Sequence, residues 1–91
     1  MKVVINTCFG GFGLSLVALS RYNDLANTNV DYYYDIERND PCLVQVVEEL
    51  GEQANGEYSD LRIVDIPDDI SWYIQEYDGL ESIHETHRIW N

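Results

Sequence analysis

The sequence predicts a single domain over residues 1–91, of the α/β or α+β class, with its elements in the order βαβαβββ. Three observations support this prediction. A short run of β-branched residues near the start leads into a glycine-rich turn. An apolar stripe at helical spacing begins at Asp40-Pro41, and Asp78-Gly79 marks a β-hairpin near the end. Two right-handed crossovers followed by the C-terminal hairpin predict a mixed sheet with two helices packed on it.

The first strand and the first helix flank the glycine-rich loop. Residues 2–7 contain three consecutive β-branched residues, which is typical of a buried strand. Residues 14–26 carry apolar side chains at helical spacing. Ser15 is the predicted N-cap, because its hydroxyl can accept a hydrogen bond from an amide of the next turn. The sequence Asn27-Thr28-Asn29 is predicted to end this helix.

A tyrosine-rich segment and a second helix follow. Residues 30–37 are predicted to form a strand, because aromatic side chains favour strands. Asp40 is a predicted N-cap with Pro41 at the first helical position. The apolar stripe continues to Ala54, and Asn55-Gly56 is the predicted end of the helix. Gly51 is a predicted break within it.

The last three predicted strands include a hairpin. Residues 61–66 alternate in polarity and are predicted to form a strand that ends at Pro67-Asp68-Asp69. A two-residue turn at Asp78-Gly79 places Glu76 opposite Glu81, which is a small cost between like charges. The predicted core face of the hairpin contains Trp72, Ile74, Ile83 and Ile89.

The charge of the chain limits its partners. There are 17 acidic and 5 basic residues, which gives a net charge of −12. This field repels nucleic acid and anionic membranes, so direct binding to either is not expected. Two interpretations stay open. The acidity either keeps the protein soluble, or it forms a face that docks on a basic partner such as a nucleic-acid-binding protein.

The two cysteines and the hydropathy pattern predict a reducing cytoplasm. Cys8 and Cys42 lack the spacing of a metal site and do not make a secreted disulfide framework. No apolar run approaches membrane-spanning length, and the first residues lack the apolar core of a signal peptide. We therefore expect neither a metal nor another cofactor.

The glycine-rich loop is the main candidate site. In the predicted topology, the carboxyl ends of the strands bring it beside residues 37–40 and 67–69. Its glycines would let an anion approach bare backbone, and the helix after it offers free amides. It matches neither the P-loop nor the dinucleotide fingerprint. The alternative is a tight turn in which Phe9 or Phe12 fills the core. The predicted contacts are Cys8, Phe9, Gly10, Gly11, Phe12, Gly13 and Ser15.

Two further groups are candidate ligand contacts. Arg38, just before the Asp40 cap, could bind a phosphate or carboxylate through both guanidinium nitrogens. Its alternative is a salt bridge to one of the many acids. His87-Arg88, with Trp90, could form a cationic and aromatic patch for a nucleotide, or simply a frayed end. No acid–base or metal arrangement is recognisable, which predicts a binding protein, although a small phosphate-ester hydrolase stays open.

Several stretches of the chain carry a resemblance to known proteins. They are residues 8–15, 40–44, 48–51, 54–56, 63–69, 76–79 and 87–90. On these stretches the chain resembles a family of small bacteriophage- and prophage-encoded proteins without an established activity. That resemblance implies a phage accessory role in the cytoplasm of the host bacterium, including evasion of host defence.

Two functional hypotheses result. The first is a non-catalytic protein that sequesters a small anionic ligand, such as a nucleotide-type defence signal, at the glycine-rich loop and Arg38. The second is an acidic inhibitor of a host nucleic-acid-binding defence protein, such as a CRISPR nuclease. A domain this small that carries a pocket is also expected to form a homodimer or higher oligomer.

Overall fold

The computed structural model describes residues 1–86, and these form an α+β fold. Its class and the C-terminal hairpin agree with the prediction. Short 3-10 turns at Tyr33–Asp35 and Gly51–Ala54 precede and follow the second helix. The helices and strands of the described residues are β1 (Lys2–Asn6), α1 (Leu16–Ala26), α2 (Pro41–Leu50), β2 (Leu61–Asp65), β3 (Trp72–Tyr77) and β4 (Leu80–Glu85).

The strands form two separate antiparallel pairs, β1 with β2 and β3 with β4. The predicted mixed sheet with parallel crossovers is therefore wrong. The chain returns to β2 beside the end of β1. There Asp60 accepts a backbone hydrogen bond from Thr7 (2.8 Å) and donates one to the Asn6 side chain (2.7 Å). Because these bonds join the end of β1 to the start of β2, the two strands run in opposite directions.

Residues 30–37 do not form the predicted strand. The segment contains the 3-10 turn Tyr33–Asp35, and its three tyrosine rings pack on one another, with 4.8 Å between the centroids of Tyr33 and Tyr34. Strand preference reflects packing against neighbouring strands. On the side of β1 away from β2, a single backbone bond, from the Val4 amide to the Arg38 carbonyl (2.8 Å), joins this part of the chain to β1. The tyrosines therefore pack as a cluster of rings.

The two predicted N-caps and the predicted end of α1 are confirmed, but α2 ends at the predicted break, Gly51, and not at the predicted stop Asn55-Gly56. The Ser15 hydroxyl accepts from the Ala18 amide (3.1 Å), and Asn27 ends α1 in the left-handed conformation, with φ 56°. The Asp40 carboxylate accepts from the Cys42 amide (2.8 Å). Gly51 ends α2 with φ 56°, which is a conformation that favours glycine. These caps satisfy amides and carbonyls that a helix leaves free at its ends.

The core lies between β1, the two helices and the residues after the glycine-rich loop. The predicted core face of the hairpin is only partly buried, at Trp72, Ile74 and Ile83, and Ile89 lies outside the described residues. The register of the hairpin is confirmed, with Ile74 opposite Ile83 and Glu76 opposite Glu81. The buried apolar side chains are Val3, Val4, Ile5, Phe12, Leu14, Ala18, Tyr22, Ile36, Leu43, Val44, Val46, Val47, Ala54 and Leu61.

Tyr22 is expected to make stability depend on pH above 10. It is buried, and its hydroxyl donates to the Asp40 carboxylate (2.8 Å). Burial and then this hydrogen bond raise the pKa of Tyr22 from 10.0 to about 12. The unfolded chain loses this proton near pH 10, whereas the folded chain keeps it. The stabilisation is therefore present below pH 10 and is lost as pH rises towards about 12.

Replacing Tyr22 with Phe should remove this contribution. We expect Tyr22→Phe to lose about 1 kcal/mol at neutral pH, because one hydrogen bond is lost. Its free energy of unfolding should then fall less steeply than the wild-type value between pH 10 and 12. Urea unfolding, monitored by circular dichroism at several pH values, gives the free energy of unfolding against pH for the wild type and for Tyr22→Phe. The control is Tyr58→Phe, at an exposed tyrosine. Equal slopes for the wild type and Tyr22→Phe would contradict this assignment.

Candidate functional site

A cleft of about 270 Å³, here called the tyrosine cleft, lies beside the glycine-rich loop. Its walls combine tyrosine rings with exposed backbone. Among the residues that the structure describes, Glu57 is the only charged side chain that lines it. The lining residues are Gly10, Gly11, Phe12, Gly13, Leu14, Tyr33, Tyr34, Gly56, Glu57 and Tyr58.

The glycines of the loop allow close packing against the protein's own backbone. A Cβ atom on Gly10 would overlap the carbonyl oxygen of Tyr58. A Cβ atom on Gly79, in the hairpin turn, would lie 2.5 Å from the amide nitrogen of Gly11. Gly11 itself has φ +105°, which favours glycine. The loop is thus held between the hairpin turn and the segment before β2.

A buried asparagine at the end of β1 fixes this arrangement. The Asn6 amide group donates to the carbonyls of Cys8 (2.8 Å) and Gly79 (2.7 Å), and its side-chain oxygen accepts from the Asp60 amide (2.7 Å). One fully buried side chain therefore joins the loop, the hairpin and the start of β2. This role of Asn6 was not predicted from the sequence, because a polar residue at the end of an apolar strand is equally typical of an exposed turn.

The aromatic residues of the loop have different environments. Phe12 is buried, whereas Phe9 is 66% exposed. The tight-turn interpretation predicted that one of these two phenylalanines fills the core, and Phe12 does so. The Phe12 ring contacts Tyr33 edge-on, with 5.8 Å between centroids. The Tyr34 hydroxyl donates to the Phe12 carbonyl (3.5 Å). Desolvation, followed by the neighbouring tyrosines, raises the pKa of Tyr34 above its ordinary value.

Arg38 lies beside the loop and already has a counter-ion. Its guanidinium sits 3.5 Å from the centroid of the Phe12 ring and donates to both carboxylate oxygens of Glu81, at 2.6 and 2.8 Å. Glu81 is buried and also accepts from the Asn6 amide (2.8 Å). The salt-bridge alternative for Arg38 is confirmed. Glu81 was missed, although its position on the predicted core face of the hairpin signals a need for a buried partner.

The other basic residues of the described chain are also paired. The three ion pairs are Lys2–Glu48 at 3.5 Å, Arg21–Glu49 at 3.1 Å and Arg62–Asp60 at 3.6 Å. With Arg38–Glu81, every lysine and arginine within residues 1–86 lies within hydrogen-bonding or ion-pairing distance of a carboxylate. This part of the chain therefore offers an anion no side-chain cation that lacks a partner.

The predicted convergence of three loops at one sheet edge is wrong. Residues 67–69 follow the end of β2, where the Ile66 amide donates to the Met1 carbonyl (2.8 Å). Because β2 is antiparallel to β1, this end lies at the start of β1, opposite the glycine-rich loop. Residues 37–40 do approach the loop, through the contact of Arg38 with Phe12.

The remaining predicted contacts have structural partners or lie outside the described residues. The Cys8 thiol donates to the Tyr58 carbonyl at 3.2 Å. The Ser15 hydroxyl donates to the Gln53 carbonyl at 2.7 Å, in addition to capping α1. Asp40 caps α2 and holds Tyr22. His87 and Arg88 lie outside residues 1–86, so the cationic and aromatic patch stays a prediction.

One serine–histidine pair lies on the exposed face of the hairpin. The Ser82 hydroxyl is 2.8 Å from His84 Nε2, and the His84 ring stacks on Tyr73 with 5.6 Å between centroids. Nucleophilic catalysis also needs a group that orients the base. Among the hydrogen bonds of residues 1–86, the only partner of the His84 ring is Ser82.

Comparisons with known proteins found no relative. No protein-family model matches the chain, and neither curated proteins nor solved structures gave a match. The resemblance to phage-encoded proteins stays a prediction. In the described part of the chain, three or more metal-ligating side chains do not come together, and neither helix has the length and apolar character needed to cross a membrane.

Proposed function

We propose that the protein acts by non-catalytic binding, as an acidic protein that docks on the basic, nucleic-acid-binding surface of a partner protein. The observation that carries the proposal is the internal pairing of every lysine and arginine within residues 1–86. Four of the 17 carboxylates are used in these pairs, and most of the others belong to exposed residues. The surface of residues 1–86 therefore carries mainly negative charge, with few positive side chains among the carboxylates.

Such a surface suits a partner that normally binds polyanions. Opposite potentials steer two proteins together and raise the association rate, and like charges exclude wrong partners. A groove lined with lysine and arginine for nucleic acid is complementary to a protein of net charge −12. The resemblance to phage-encoded proteins suggests a host defence protein, such as a CRISPR nuclease, in the bacterial cytoplasm as this partner.

The proposal predicts competition with nucleic acid and a steep dependence on salt. In a panel of CRISPR nucleases, the protein should displace a fluorescent DNA from at least one member. Its own affinity for that member should fall by at least about tenfold between 50 and 500 mM salt, because screening weakens contacts between exposed charges. Hen lysozyme, a basic protein without a nucleic-acid groove, controls for unspecific attraction. Failure to displace DNA, or equal binding to lysozyme, would contradict the proposal.

Sequestration of an anionic, nucleotide-type ligand is the second candidate. Its specific support is that no backbone carbonyl of residues 1–86 accepts from the amides of Gly10, Gly11 or Phe12. Glu57 in the cleft and the pairing of Arg38 with Glu81 weigh against it. A thermal-shift screen with cyclic nucleotides and cyclic ADP-ribose isomers discriminates the two. A stabilising shift with any of them favours the ligand, and turnover of that ligand would indicate a hydrolase.

A further inference from the structure

We infer that the tyrosine cleft receives an arginine side chain of the basic partner. The inference rests on the proposed function and deepens it, because it assigns one place on the surface where a cationic side chain inserts. Guanidinium groups stack on aromatic faces and pair with carboxylates through parallel hydrogen bonds. The cleft provides both surfaces, through Tyr33, Tyr34 and Tyr58 on one hand and Glu57 on the other.

The charge of the cleft favours a cation over an anion. Among the described residues, its only charged lining side chain is the Glu57 carboxylate. Arg38 lies over the ring of Phe12, which lines the cleft, and Glu81 balances the charge of Arg38 through two hydrogen bonds. An incoming guanidinium therefore meets no uncompensated positive charge at Phe12, whereas a phosphate would meet Glu57.

The protein already contains one example of the same chemistry. Arg38 lies on the face of the Phe12 ring at 3.5 Å and binds Glu81 with both of its terminal nitrogens. Phe12 also lines the tyrosine cleft. The external site would repeat this combination of aromatic face and carboxylate with a guanidinium from another chain.

The cleft is held in shape before any ligand arrives. The Ser59 hydroxyl and the Gly56 amide both donate to the Gly13 carbonyl, at 2.8 and 3.1 Å, which fixes two of its walls together. The rings of Tyr33 and Tyr34 pack on each other and on Phe12. Binding therefore has little backbone to order, which lowers its entropic cost. Tyr34 and Tyr58 are 56% and 69% exposed, so both residues can contact a side chain from another molecule.

The experiment is a titration of the ¹⁵N-labelled protein with N-acetyl-arginine amide, hexa-arginine and hexa-lysine, followed by NMR. We expect the largest amide shifts at residues 10–14 and 56–58 and tighter binding of hexa-arginine than of hexa-lysine. Glu57→Gln should weaken the hexa-arginine complex about three- to fivefold, the usual effect of one exposed ion pair. Tyr34→Leu should weaken it about as much, because it removes a stacking face.

The matched control is Glu52→Gln, which removes the same charge from an exposed glutamate that does not line the cleft. If Glu57→Gln and Glu52→Gln weaken binding equally, or if the amide shifts lie elsewhere, the inference is wrong. A wild-type protein that displaces DNA from a nuclease but gives no shifts at the cleft would overturn the inference and leave the proposed function standing. If arginine binds in the cleft but the protein displaces DNA from no nuclease, the proposed function is wrong and the cleft remains an arginine-binding site.

Discussion

Replacing Glu81 with Gln is expected to lower the free energy of unfolding by about 3 kcal/mol, because it leaves a largely buried guanidinium without its counter-charge. Arg38 is held over the Phe12 ring, with its side chain only 18% exposed, and Glu81 is 7% exposed. A glutamine at this position keeps an acceptor for the Asn6 amide. It cannot neutralise Arg38, and its own amide group would face the guanidinium donors.

Two variants separate the loss of the pair from the loss of a charge. Glu85→Gln, on the same face of β4 and exposed, should change stability by less than about 0.5 kcal/mol. The double variant Arg38→Met with Glu81→Leu should be more stable than Glu81→Gln, because it leaves no unpaired buried charge. Urea unfolding of the variants measures the differences. Equal midpoints for Glu81→Gln and Glu85→Gln would show that the ion pair contributes little.

The ion pair has a large expected effect because of its place in the topology. The hairpin β3–β4 shares no strand ladder with β1–β2. It is joined to the rest of the fold by Glu81, which contacts both Arg38 and Asn6, and by the Gly79 carbonyl, which accepts from the Asn6 side chain. Loss of the carboxylate therefore weakens the attachment of a whole element. Amide exchange in β3 and β4 should rise with it.

The elements predicted correctly are those that neighbouring residues determine. Ser15 and Asp40 cap their helices through amides two or three residues away, and Gly51 ends α2 through its own φ angle. The turn at Asp78-Gly79 fixes the register of the hairpin without help from the rest of the fold. In each case, the deciding contact lies within about one turn of the residue that signals it.

The features that the sequence did not reveal depend on distant contacts. Arg38 and Glu81 are 43 residues apart, and the Asn6 amide and Glu81 are 75 apart. Strand preference alone placed residues 30–37 in a strand, but the packing of Tyr33 and Tyr34 on the distant Phe12 ring overrides it. The glycine-rich loop was predicted as a site, with a pocket wall as one open role for the tyrosines, but the third wall of the tyrosine cleft was missed, since residues 56–58 join it only after the chain returns to β2.

Gly10→Ala is expected to destabilise the protein by more than about 3 kcal/mol or to prevent folding, because the added Cβ would overlap the Tyr58 carbonyl oxygen. Gly10 has no positive φ angle, so alanine would fit the backbone conformation and the cost is steric. The loop has little freedom to move away. Asn6 holds the Cys8 carbonyl on one side, and the Cys8 thiol bonds to the same Tyr58 carbonyl on the other.

Gly13→Ala, three residues further along the same loop, is the matched control. A Cβ atom there would lie 3.5 Å from the Tyr33 hydroxyl oxygen, which is an ordinary contact, and Gly13 has no positive φ angle either. We expect its free energy of unfolding within about 1 kcal/mol of the wild-type value. Thermal and urea unfolding of both variants measure the contrast. If Gly10→Ala is as stable as Gly13→Ala, packing does not explain the glycine, and approach of a ligand to the loop becomes the stronger explanation.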